Sequence, residues 1–183
     1  MRKGIVPRLI RRFLACLLFS AVLWSWIFSL LSDPGPEHRI LLYADMPSFR
    51  WKELAVALEE QAPEGISRVR VHPFSYAMMN SAEVETADLY VMTAAQAREH
   101  PDWLAPAPDR LASGRETLEM NGAVRGVRLD PAADSFFLFS RQEAGPWYLF
   151  FGARSLHLPG PEAKDNAAVR IAETLLALDS PAP

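Results

Sequence analysis

Side chains able to do chemistry are plentiful in this chain, yet few fall at the spacings that chemistry demands. The four histidines, His38, His72, His100 and His157, form no H-x-x-x-H pair, and the single cysteine, Cys16, is remote from all of them. A zinc site would therefore need imidazoles and carboxylates gathered by folding, and no metal is expected. His72 reads as the outward face of an edge strand and His157 as a loop residue. Ser155 stands two positions before His157, the residue types of a nucleophile and its base. No oxyanion motif accompanies them, so a structural loop serine is the simpler expectation. The chain contains no G-x-S-x-G, no P-loop and no G-x-G-x-x-G, which leaves no motif for a cofactor. Asp130, Asp134, Glu143 and Asp165 lack the D-x-D-x-D-G calcium pattern and read as solvated turn and cap residues. Trp51, Trp103 and Trp147 are of the type that lines apolar grooves; at helical and strand spacing they read as core.

The elements that must position these groups are legible from periodicity. Ile40–Ala44, ILLYA, is a continuous apolar run of strand length. Ser48 is the expected N-cap of a following helix. In that helix Trp51, Leu54, Ala55, Leu58 and Ala62 form an apolar stripe, and Pro63 and Gly65 end it. Ser67–His72 alternates, with Val69 and Val71 on one face and Arg68, Arg70 and His72 on the other, the pattern of a half-buried strand near a sheet edge. A short helix is expected over Asn80–Thr86, and Asp88–Thr93, DLYVMT, reads as a second buried strand. Thr93 and Gln96 have the spacing of a capping box, so a helix should follow and stop at Pro101. Strand, helix, strand, helix, strand predicts a parallel sheet with helices packed on it.

Residues 101–122, rich in Pro, Ala and Asp, are expected to be irregular. Strands are expected at Val124–Leu129, Phe136–Ser140 and Trp147–Phe151, the last two joined as an antiparallel hairpin around Gly145-Pro146. Asp165 should cap a final helix to about Leu178, with Ala168, Ile171, Leu175 and Leu178 buried. The expected class is α/β: one domain with a largely parallel mixed sheet.

Ahead of that domain lies Phe13–Ser32, FLACLLFSAVLWSWIFSLLS, without a charged residue. At about 1.5 Å per residue such a helix spans the roughly 30 Å hydrocarbon layer of a bilayer. Arg2, Lys3, Arg8, Arg11 and Arg12 precede it, with no acid among them. Positive charge beside a span stays on the cytoplasmic side, so the amino terminus is expected inside and the domain outside. A cleaved signal peptide has the same plan, but its apolar region is usually about 7–15 residues long and ends in an A-x-A site. Here the run is longer and ends in Leu30-Leu31-Ser32, so a retained anchor is expected. Cys16, inside it, should be a buried, inert thiol. The expected divisions are a cytoplasmic basic tail (1–12), the anchor (13–32), a Pro-containing stalk (33–39), the exported domain (40–178) and a tail (179–183).

Beyond Ser32 the chain holds all 22 acids and 14 of the 19 bases, a formal charge of −8 against −3 for the whole chain. A net-acidic domain lacks the basic stripe that a nucleic-acid partner requires. With no exported cysteine there is no disulfide, and stability must come from an apolar core.

Three segments carry a resemblance: ILLYADMPSF with the helix after it, ADLYVMTAAQ, and PWYLFFGARSLHLPGPEAKDNAAVRIAETLLAL. Together they resemble a group of single-pass membrane proteins of Gram-positive bacteria, whose exported part is similar to a reduced type 2 solute-binding protein of ABC importers. The matching features are the strand introduced by Ala87-Asp88, the serine-containing loop at Ser155 and the helix opening on Ala167-Ala168. A full binding protein has two lobes and about twice this length, so the resemblance implies a single lobe. It implies an extracytoplasmic binding or interaction domain, with the lipid bilayer and either a small polar solute or a membrane protein as partners. The alternatives are an exported envelope-acting hydrolase and an assembly partner of a membrane complex. In open parallel sheets ligands sit at the carboxyl ends of the strands. With the resemblance, this places the expected ligand site at Asp45, Met46, Ser48, Thr93 and Ser155.

Overall fold

The computed structural model describes residues 5–32, 34–44, 50–74, 82–129, 146–158 and 166–179. The chain divides into two compact units, Met1–Gly35 and Pro36–Pro183. The first is a helix, α1 (Ile5–Ser32), so part of the expected basic tail is helical. Its stretch Ile10–Phe28 is long and apolar enough to cross a membrane. Large apolar side chains along it, among them Phe13, Leu18, Phe19 and Trp26, are exposed. Cys16 is free and exposed there as well, where a buried thiol was expected.

The second unit is a seven-stranded mixed sheet between two layers of helix. Its elements are β1 (Arg39–Ala44), α2 (Trp51–Glu60), β2 (Arg68–Pro73), α3 (Ala82–Glu85), β3 (Leu89–Thr93), α4 (Ala94–Glu99), β4 (Leu104–Ala105), α5 (Asp109–Ala112), β5 (Thr117–Met120), β6 (Ala123–Leu129), β7 (Trp147–Gly152) and α6 (Ala167–Asp179). The strand order is β2-β1-β3-β7-β6-β5, with β4 paired to β7. β1 is parallel to β2 and β3, as the alternating elements predict. The parallel run stops there, since β7, β6, β5 and β4 all pair antiparallel.

Each face of the sheet buries its own apolar layer. Ile40, Leu42, Val69, Val71, Leu89, Val91, Leu149 and Phe151 meet Leu54 and Leu58 of α2 and Ile171 and Leu175 of α6. Leu41, Tyr43, Tyr90, Met92, Tyr148 and Phe150 meet Val84 of α3, Ala97 of α4 and Leu104. Because β1 and β3 are covered on both faces, they read as unbroken apolar runs rather than alternating ones. Burying a leucine such as Leu58 contributes about 1.5–3 kcal/mol. Val69 and Val71 point inward while Arg68 stays exposed, and β2 is an edge strand, as the alternation predicts.

Several local expectations change. α2 starts at Trp51 with Arg50 in the N-cap position and no side-chain cap; Ser48 lies outside the described residues, as does Asp165. The segment 101–122, expected to be irregular, contributes β4, α5 and β5. Asn121 and Gly122, both with positive φ, turn β5 into β6, the two-residue Asn-Gly hairpin whose twist suits adjoining strands. Phe136–Ser140 lies outside the described residues, and β7 pairs with β3 on one side and with β6 and β4 on the other. Gly152 ends β7 where a Cβ would lie 1.8 Å from the Ala87 carbonyl oxygen. Only glycine lets the backbones approach so closely.

Candidate functional site

At the carboxyl ends of the parallel strands, Asp45, Met46 and Ser48 lie outside the described residues. Thr93 lies within them, and its hydroxyl is fully engaged. It accepts from the Gln96 amide at 3.3 Å and donates to Gln96 Oε1 at 3.0 Å, while the Thr93 amide donates to the same oxygen at 2.9 Å. This is the predicted capping box, which satisfies amides that the short helix cannot bond itself.

Ser155 is at the other end of the sheet. β7 runs antiparallel to β3 and pairs Phe151 with Leu89, so the loop after β7 emerges where β3 begins. There Asp88, 5 % exposed, accepts from the Leu41 amide at 2.8 Å and from the Ser155 hydroxyl at 2.5 Å. The Asp88 amide donates to Leu41 O, and the Gly152 amide donates to Asp88 O, each at 2.9 Å. One carboxylate and its own peptide units thus hold β1, β3 and the loop after β7 together. The Ser155 hydroxyl accepts from the His157 amide at 3.0 Å. The His157 ring turns to the Pro36 carbonyl, donating from Nε2 at 3.1 Å. Nucleophile and base are therefore not coupled: the serine hydroxyl is committed to Asp88 and this imidazole nitrogen to the backbone. A cavity of about 340 Å³ opens beside Asp88, lined by Pro36, Arg39, Leu41, Thr86, Arg154 and Leu156. The two arginines pair with Glu83 and Glu85 of α3, so its rim carries both signs.

A second set of polar and aromatic groups lies on the face opposite α2 and α6. Rings run across it from strand to strand: His72 on Tyr43 at 5.5 Å, Tyr43 beside Phe74 at 5.7 Å, Phe74 on Tyr90 at 6.3 Å, Tyr90 on Trp103 at 6.2 Å, and Trp103 on His100 at 4.0 Å. Tyr90 donates its hydroxyl to Val84 O at 2.5 Å. Burial, with the Asp88 charge behind it, pushes the Tyr90 phenol well above its ordinary value. Burial and the Glu83 charge likewise raise Tyr43. The Tyr43 hydroxyl and His72 Nε2 are both buried and have no hydrogen-bond partner among the described residues. An unpaired buried polar group costs about 1–3 kcal/mol. His72, expected on an exposed strand face, is instead half-buried against Tyr43, and burial lowers its pKa. The signal for this was present: a tyrosine inside the apolar run ILLYA must bring a polar tip into the core.

Trp51 and Trp147 pack in the α2/α6 layer and Trp103 in the other, so the three line no common groove. Among the described residues, no group of three or more His, Cys, Asp or Glu side chains could hold a metal. Comparison of the chain with protein-family models, curated proteins and solved structures finds no match.

Proposed function

We propose that this chain is a single-pass membrane protein. Its α/β unit then serves as a binding or interaction domain on the outer face of the cytoplasmic membrane, built like one lobe of a solute-binding protein. The observation that carries the reading is the pairing of an uncharged apolar helix, flanked by five bases and no acid on its amino side, with a separate compact unit that buries two apolar layers of its own. The charge asymmetry sets the orientation. The lobe-like reading draws on the order β2-β1-β3 followed by an antiparallel strand. It draws also on the tie between Asp88 and Ser155, two of the residues that carry the resemblance. The ligand edge in this reading is the carboxyl end of β1 and β3, at Asp45, Met46, Ser48 and Thr93. Ser155 leaves that set, since it lies at the amino end and ties strands together. The hydrogen bonds of Ser155 and His157 weigh against a hydrolase.

A reporter active only after export, fused behind Leu178 of the full chain, tests the topology. We expect activity, with the product held in the membrane fraction. An inactive reporter overturns the orientation, and a soluble product beginning near Asp33 overturns the anchor.

A further inference from the structure

Tyr43 and His72 face one another in the parallel register of β1 and β2, on the same side of the sheet. Tyr43 is 0 % exposed, and its hydroxyl and His72 Nε2 are buried atoms with no hydrogen-bond partner among the described residues. The rings stack at 5.5 Å, yet their polar atoms do not bond each other. Two orphaned polar atoms on adjoining residues are seldom left empty in a folded protein, because a bound oxygen satisfies both at once. From this juxtaposition we infer that Tyr43 Oη and His72 Nε2 form a two-point site for one hydroxyl-type oxygen, supplied by an internal water or by the hydroxyl of a small neutral solute.

The chemistry of the pair selects that oxygen. The phenol both donates and accepts, and the neutral imidazole does one or the other at Nε2 according to its tautomer. A hydroxyl matches either case. A carboxylate would bring a buried charge to two neutral groups, while the nearby Arg39 is already paired with Glu83. One phenol and one imidazole make a poor cation site. Phe74 and Tyr90 stand beside Tyr43, and apolar aromatic walls with a few convergent polar groups are the usual composition of small-molecule sites. The inference does not depend on which side of a membrane the domain occupies.

The test is thermal unfolding of the full chain in detergent micelles, for the parent, Tyr43→Phe, His72→Phe and the double variant. A bridged oxygen predicts a lower Tm for each single change and little further loss in the double, since the bridge is lost only once. A higher Tm for Tyr43→Phe, or additive effects, overturns the site, because removing truly empty orphans relieves a cost. The His72 Nε2 resonance of the ring-labelled parent gives a second reading that needs no unfolding. It should shift between the parent and Tyr43→Phe, and an unmoved resonance overturns the bridge. Glycerol and glucose distinguish the sources: a Tm rise steeper for the parent than for Tyr43→Phe identifies a solute hydroxyl, and equal slopes identify water.

Discussion

At the scale of the residue, His72 shows how an outward-reading position acquires a partner. Its own strand alternates in the expected way, and its Cβ is on the expected side. What differs is that this side is lined by Tyr43, Phe74 and Tyr90 rather than by water. Burial lowers its pKa below the ordinary 6.5; Glu83 of α3 opposes the shift, and Arg70 and Arg39 add to it. With the folded pKa depressed, the unfolded chain binds the proton more readily. Stability is then undiminished above the ordinary histidine value and falls as pH drops through and below it, levelling off once the folded pKa is passed. Unfolding by denaturant between about pH 7 and about pH 5 should therefore show a loss of stability in the parent that is smaller in His72→Gln. Equal slopes in the two proteins would mean that His72 titrates as a solvated side chain.

At the scale of the element, α4 has only six residues and cannot stabilise itself, because nucleation of a helix is costly. Its capping box and the burial of Ala97 do so. Thr93→Ala removes both the acceptor for the Gln96 amide and the donor to Gln96 Oε1. It should destabilise the unit by about 1 kcal/mol, and Thr93→Ser should restore most of that. If Thr93→Ser proves as unstable as Thr93→Ala, packing of the threonine methyl matters more than its hydroxyl. The box was legible because its partners are three residues apart in the chain. The hairpin of β5 and β6 carried an equally local signal in Asn121-Gly122, and β6 was legible, but β5 is short and weakly patterned: of Thr117–Met120 only Met120 is buried.

Across the chain as a whole, α1 falls in one compact unit and the α/β sheet in another, and the described residues that fill the two apolar layers of the sheet belong to the second unit. A fragment of residues 36–183 should therefore unfold in one cooperative transition at a Tm close to that of the full chain. Leu58, 0 % exposed between α2 and the sheet, gives the control: Leu58→Asp puts an unpaired charge into that layer and should abolish the transition. A fragment that is unfolded before any substitution would show that the α/β unit needs α1.

Whatever depends on neighbours in the chain could be read from the order of the amino acids. The uncharged span and its basic flank, the unbroken apolar runs of β1 and β3, the amphipathic stripe of α2 and the capping box of α4 are all local patterns, set by one residue's periodicity against the next. What depends on strand direction and register became visible in the folded chain. Ser155 follows a strand that could have run either way; because β7 runs antiparallel to β3, the serine meets Asp88 at the amino end instead of joining Thr93 at the carboxyl end. Tyr43 and His72 are distant in sequence and become partners through the register of two parallel strands. A shift of that register by one residue would turn the imidazole to the opposite face of the sheet.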